Sequence, residues 1–164
     1  MNLVRTTAAQ GSLAMICDEN EVLLKKAASL APDAVETTKM SEVLENPAVE
    51  AVMVATPSPY HFPHAKSAIL AGKHVYVEKP LTLSVRDAEE LVALAERHKR
   101  ILMVGHLLKY HPAVLHIKKM IDSGELGELY YVYSHRLNLG VIRKEENALW
   151  SLAPHDISVL LFFI

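Results

Sequence analysis

The sequence predicts an α/β protein, with a doubly wound parallel sheet over residues 1–108 and the beginning of a separate α+β unit over residues 109–164. Three observations carry that prediction. Short apolar runs alternate with helical stripes four times between Ser12 and Val104, the pattern of right-handed βαβ units. The connections between them are only a few residues long. After Gly105 the texture changes, and Tyr130 to Leu139 is an aromatic run with polar alternation beyond Ser134, closer to antiparallel sheet.

Taken in order, Asn2 to Gln10 places Leu3, Val4 and Ala8 on one short helical stripe with no cap before it. Ser12 to Cys17 is an apolar strand ending at Asp18, and Cys17 is expected in the core. Glu21 to Ala31 follows as a helix whose Leu23, Ala27, Leu30 and Ala31 share a face. Val35 to Thr38 reads as a short strand, and Met40 to Glu45 as a short helix stopped at Asn46-Pro47. Ala51 to Ala55 is continuously apolar, which suits a strand covered on both faces. Thr56-Pro57-Ser58-Pro59 ends it in a rigid loop, and Phe62 to Ala71 is a helix closed by Gly72.

The stretch His74 to Ser84, HVYVEKPLTLS, holds the densest local information. Val75 and Val77 alternate with His, Tyr and Glu as in a strand. Pro80 has no N–H and restricts Lys79 to extended geometry, so the strand ends there. Lys79 is thereby delivered to the carboxyl end of a parallel strand, where α/β sheets bind ligands. The tripeptide by itself favours a solvated lysine in a turn. Ser84 with Asp87 reads as a capping box for a helix over Val85 to His98, with Ala88, Leu91, Val92 and Ala95 as its apolar stripe. Ile101 to Val104 is a further strand. Pro112 to Ser123 is a helix with Val114, Ile117 and Ile121 inward and Gly124 as its stop, and Asp156 to Ile164 begins an apolar helix.

Composition narrows the partners. At 164 residues, 51% hydrophobic and 22% charged, the chain can bury a real core. A net charge of −2 gives no footprint for nucleic acid, and Lys25-Lys26 and Lys118-Lys119 are isolated pairs. One cysteine excludes an intrachain disulfide and fits a reducing compartment. The N-terminus has no secretory apolar region, and the longest apolar run, Val159 to Ile164, is far too short for a membrane span. A cytoplasmic protein with no nucleic-acid and no membrane partner is expected. Nine histidines include His61 and His64, and His106, His111 and His116, but no H-E-x-x-H or carboxylate-completed set accompanies them, so no metal is expected.

Seven pieces stand in a definite order: CD at 17–18, ATPSPYH at 55–61, AGKHVYVEKPL at 71–81, MVGH at 103–106, YHPAV at 110–114, IDSGELGELYYV at 121–132 and APHDIS at 153–158. Each alone is weak, whereas the collinear set resembles the glucose–fructose oxidoreductase, inositol dehydrogenase and rhizopine-catabolism family, Gfo/Idh/MocA. The resemblance implies a Rossmann-type domain holding NAD, followed by an α+β domain for substrate and homo-oligomer contacts. It implies hydride transfer between a nicotinamide cofactor and a secondary alcohol of a sugar or nucleotide sugar. The tract NLGVIRKEENALWSLAPHDIS further resembles members that oxidise a UDP-amino-sugar uronate.

Carried over residue by residue, Asp18 takes the acidic position that accepts hydrogen bonds from the adenosine ribose and repels a 2′-phosphate, favouring NAD over NADP. As a residue before Asn20 and Glu21 it equally suits a helix N-cap. Thr56, Pro57, Ser58 and His61 match the loop lining the dinucleotide, with Glu78 and Lys79 near the nicotinamide, although His61 also suits a helix residue that packs. The resemblance makes Lys79 and His155 catalytic. The lysine steadies alkoxide character on the substrate oxygen, the histidine takes the proton, and Asp156 orients or caps. Ser151 stands where the family often carries an acid. Tyr110, His111, Arg136 and Asn138 are candidates for substrate contact, the arginine suiting a carboxylate or diphosphate.

Family members open with an apolar strand and G-x-G-x-x-G, whereas Asn2-Leu3-Val4-Arg5 resembles the helix that follows those glycines. The expected sheet is therefore an incomplete Rossmann type, lacking the central strand between the Cys17 and Val54 strands, with marginal folding and weak cofactor binding. The chain then reads as a fragment of the enzyme, or as a non-catalytic remnant whose strand edges pair with a partner or with itself.

Overall fold

The computed structural model describes residues 1–135 and 147–164, so the candidates Arg136 and Asn138 lie outside the described residues. The elements are α1 (Asn2–Ala9), β1 (Met15–Cys17), α2 (Glu21–Ala28), β2 (Val35–Thr37), α3 (Met40–Glu45), β3 (Ala51–Val54), α4 (His61–Leu70), β4 (His74–Val77), α5 (Val85–Arg97), β5 (Leu102–Val104), α6 (Pro112–Asp122) and α7 (Ala148–Phe163). Short 3-10 turns at Ser58–Tyr60 and Leu107–Tyr110 follow β3 and β5. Local chemistry sets several boundaries. Asn20 accepts from the amides of Val22 and Leu23 to open α2, and Ser84 accepts from Asp87 to open α5. Gly72, at φ +77°, turns the chain out of α4 into β4.

All strand pairs are parallel. β1 lies beside β2 with Met15 opposite Val35, while β4 is central in the order β3-β4-β5, with Val77 opposite Val54 on one side and Val104 on the other. Strands are added outward from β1 in one sheet and from β3 in the other. Each half has the parallel, outward-growing order of one half of a doubly wound sheet. Among the described residues no ladder joins β1 to β3. The larger core lies between β3–β5 and helices α4 and α5, built on Val54, Ile69, Val75, Val77 and Leu91. A smaller one packs Ile16 against Leu24, Ala27 and Ala31 of α2. Burying each larger aliphatic side chain contributes roughly 1.5–3 kcal/mol.

Several expectations need correction. Cys17 is exposed rather than in the core. Ala51–Val54 is covered on one face only: Val54 and Val52 pack on the core, whereas Met53, 46% exposed, lies in a row with Tyr76 and Met103 on the sheet face away from that core. In α2 the inward leucine is Leu24 and not Leu23 or Leu30, and in α5 Leu94 takes the place expected for Val92. Neighbouring apolar residues satisfy the same helical period in two rotations, so periodicity alone cannot choose the face. No residue of α6 is fully buried. Tyr130 to His135 is not a strand: its tyrosines are exposed, and no strand among the described residues supplies the hydrogen bonds it would need. The last helix starts at Ala148 rather than Asp156, since Asn147 caps the amide of Trp150 at 3.0 Å and the helix runs through Pro154. No described helix is long and apolar enough to cross a membrane.

Candidate functional site

Central β4 builds one side of the site. Val75 and Val77 point into the core, so alternation puts Tyr76 and Glu78 on the opposite face. The strand end is held from both flanks: the Glu78 amide donates to Val54 O at 2.9 Å and the Gly105 amide to Val77 O at 2.8 Å. Beyond Glu78 the Lys79–Pro80 peptide is cis and Pro80 is buried. The Lys79 ammonium, half-buried, donates to the backbone carbonyl of Ser151 at 2.9 Å. Ser151 lies on α7, and His155 follows it by four residues on the same helix face.

The Tyr76 hydroxyl donates to Glu78 Oε1 at 3.3 Å. Burial first, then the Glu78 charge and this hydrogen bond, push the phenol up to about 12. Gly105 lies against the pair, and a Cβ there would stand 2.4 Å from the Tyr76 hydroxyl and 3.1 Å from Glu78 Oε2. At the adjacent His106, Nδ1 is buried without a hydrogen-bond partner. Burial, and secondarily Lys109, hold that imidazole below the usual histidine range.

The carboxyl ends of β1 and β3 carry the remaining candidates. The carboxylate of Asp18 accepts the Asn20 amide at 2.9 Å, while Asn20 itself caps α2, so Asp18 precedes the cap rather than serving as it. After β3, Thr56 and Pro57 are exposed and Ser58 is half-buried. The Thr56 hydroxyl lies 3.4 Å from Nδ1 of His64, whose ring stacks on Tyr60 with centroids 5.8 Å apart. Burial lowers the His64 pKa, and the charge of Glu19, just beyond β1, opposes that shift. His61, the first residue of α4, is 2% exposed, with Nδ1 2.6 Å from Pro80 O and Nε2 2.7 Å from Thr56 O.

The structure thus brings Thr56, His61, Pro80, Lys79 and Ser151 into one connected set, with Asp18 at the end of a strand in the other sheet. Tyr110 is exposed on its 3-10 turn, and His111 uses Nδ1 to cap α6 through Ala113 N at 3.2 Å. Asp156 accepts from the Ser134 hydroxyl at 2.9 Å. Sequence reasoning weighed His64 only as a metal ligand and passed over Tyr76, Gly105 and the Ser151 carbonyl. The two-residue period of β4 was the available signal for Tyr76 beside Glu78. Among the described residues no cluster of His, Cys, Asp and Glu is arranged to hold a metal.

The profile of an oxidoreductase family with an NAD-binding Rossmann fold, GFO_IDH_MocA, matches residues 1–106. The chain is 35% identical over 133 residues to the uncharacterized oxidoreductase YdgJ of Escherichia coli, covering 81% of this chain and 37% of YdgJ. It is 34% identical over 119 residues to scyllo-inositol 2-dehydrogenase (NADP(+)) IolW of Bacillus subtilis, covering 73% and 32%. Among solved structures it is similar to the WlbA dehydrogenase of Bordetella pertussis, crystallised with NADH and UDP-GlcNAcA. The TM-score is 0.66 at 30% identity, over 72% of this chain and 34% of WlbA. The chain spans about a third of the length of these relatives.

Proposed function

Because the chain belongs to the Gfo/Idh/MocA oxidoreductase family, we propose that it carries the cofactor side, and part of the catalytic side, of an enzyme moving a hydride between a nicotinamide dinucleotide and a secondary alcohol of a sugar or nucleotide sugar. The observation that carries this reading is Lys79, presented at the end of β4 and hydrogen-bonded at 2.9 Å to α7, the helix that also bears His155.

The residues present fit the dinucleotide. A carboxylate stands at the end of β1, an exposed Thr-Pro loop at the end of β3 and a lysine at the end of β4, each at the carboxyl end of a parallel strand, where such ligands bind. The bound cofactor supplies the hydride acceptor. Asp18 would accept the ribose hydroxyls and disfavour a 2′-phosphate, which argues for NAD, and Thr56 to Ser58 with His61 would line the dinucleotide, with Glu78 and Lys79 near the nicotinamide. The Lys79 ammonium exchanges the Ser151 carbonyl for the substrate hydroxyl and stabilises its developing negative charge. His155 takes the hydroxyl proton. Residues 1–108 form the cofactor domain and 109–164 the start of the substrate domain, which in the complete protein also supports a homo-oligomer. The WlbA ligand and the tract from Asn138 to Ser158 favour a UDP-sugar uronate as substrate.

The test is NAD(P)H formation with a panel of nucleotide sugars, sugars and inositols, using the chain together with its flanking coding sequence. Lys79→Met and His155→Ala each lower kcat by about 10²–10⁴-fold, the range for a positioned acid–base or charge-stabilising group. Full turnover by Lys79→Met overturns the assignment.

A further inference from the structure

We infer that His61 is a positioning residue: it clamps the loop after β3 to the loop after β4 and thereby fixes where the Lys79 ammonium stands. The geometry is specific. The imidazole is 2% exposed, and its two nitrogens lie 2.6 Å from Pro80 O and 2.7 Å from Thr56 O. Each ring nitrogen faces one of the two carbonyls, and the tautomer sets which of them receives the N–H. Neither nitrogen is left over for a ligand, so His61 acts through what it holds. Pro80 O belongs to the residue directly after Lys79, and Thr56 is the residue at which the β3 loop begins.

Lys79 is therefore held twice: its backbone is tied through Pro80 to His61, and its ammonium through Ser151 O to α7. Releasing the first hold frees the backbone from which the Lys79 side chain reaches the α7 carbonyl. Packing alone gives no reason for an imidazole here. A phenyl ring fills nearly the same volume and gives neither carbonyl a donor. That the clamp matters for hydride transfer rests on the role assigned to Lys79 above, whereas the clamp itself does not.

The test reads Lys79 directly. The chain is acylated with limiting acetic anhydride, and modification is quantified at each lysine by mass spectrometry in wild type, His61→Phe and His61→Gln. Lys73 is the control for global loosening, being 7% exposed with its ammonium on Asn46 O at 2.7 Å. In His61→Phe, Lys79 labels about fivefold faster, the protection that one hydrogen bond of ordinary strength supplies, while Lys73 is unchanged. His61→Gln, whose amide reaches one carbonyl, falls between. An unchanged Lys79 rate in either folded variant overturns the inference, as does a rise at Lys79 and Lys73 together in both. The labelling needs neither cofactor nor substrate, so an inactive chain can still show the clamp, and an active enzyme can still lack it.

Discussion

Gly105→Ala tests the packing behind Glu78. The added Cβ would lie 2.4 Å from the Tyr76 hydroxyl oxygen, 3.0 Å from Tyr76 Cζ and 3.1 Å from Glu78 Oε2, where carbon needs about 3.5–4 Å. Gly105 does not occupy the left-handed region, so the cost is one of space. The tyrosine ring is rigid and springs from a strand paired on both flanks, with Tyr76 opposite Met53 and Met103. The backbone cannot retreat, and the ring must swing. An off-rotamer ring costs roughly 0.5–1.5 kcal/mol, and losing the Tyr76–Glu78 hydrogen bond about 1 kcal/mol or more. Gly105→Ala therefore destabilises the fold by about 1–3 kcal/mol, the range of overpacked cores. Tyr76→Phe removes the oxygen at 2.4 Å but leaves the ring carbon at 3.0 Å, so the double variant recovers part of the loss. Urea unfolding of the four chains measures the coupling, expected at about 1 kcal/mol. Effects that add within about 0.5 kcal/mol, or a Gly105→Ala chain as stable as wild type, would refute the reasoning.

Three further expectations concern charge. Since Tyr76 is raised from 10.0 to about 12, the unfolded chain loses its phenolic proton first, and stability falls as pH climbs through that window, by roughly 2–3 kcal/mol at most. Tyr76→Phe flattens this alkaline loss, and an unaltered urea-midpoint profile would contradict it. His64 and His106 are both held below 6.5 by burial, so the unfolded chain binds protons that the folded one does not, and stability declines as pH drops through 6.5. Replacing His106 by Phe shrinks that slope; the same acid dependence in variant and wild type would show that His106 does not contribute. Asp18→Ser, assayed with flanking sequence as above, shifts the NAD-to-NADP preference toward NADP by about tenfold or more, and an unchanged ratio would remove Asp18 from the ribose site.

Local rules and long-range contacts divide the site between them. Pro80 and Ser84 act within a few residues of themselves, so the strand end at Glu78 and the start of α5 were legible in the sequence and are found there, Ser84 Oγ accepting from Asp87 N at 3.3 Å. The doubly wound order was legible for the same reason, strand and helix alternating through short links. Helix faces were less so, because adjacent apolar pairs such as Leu23 and Leu24 fit one period in two rotations. A strand at Tyr130 to His135 could not be decided from its own residues, since a strand exists only with a partner. The two anchors of Lys79 belong to a third kind. Ser151 lies 72 positions beyond the lysine, and Pro80 lies 19 beyond His61. Each contact ends on a backbone carbonyl, which every residue carries and no motif records. A lysine at a strand end is thus readable from the chain, but what makes it a fixed cation rather than a solvated one is a pair of main-chain acceptors that only the folded arrangement selects.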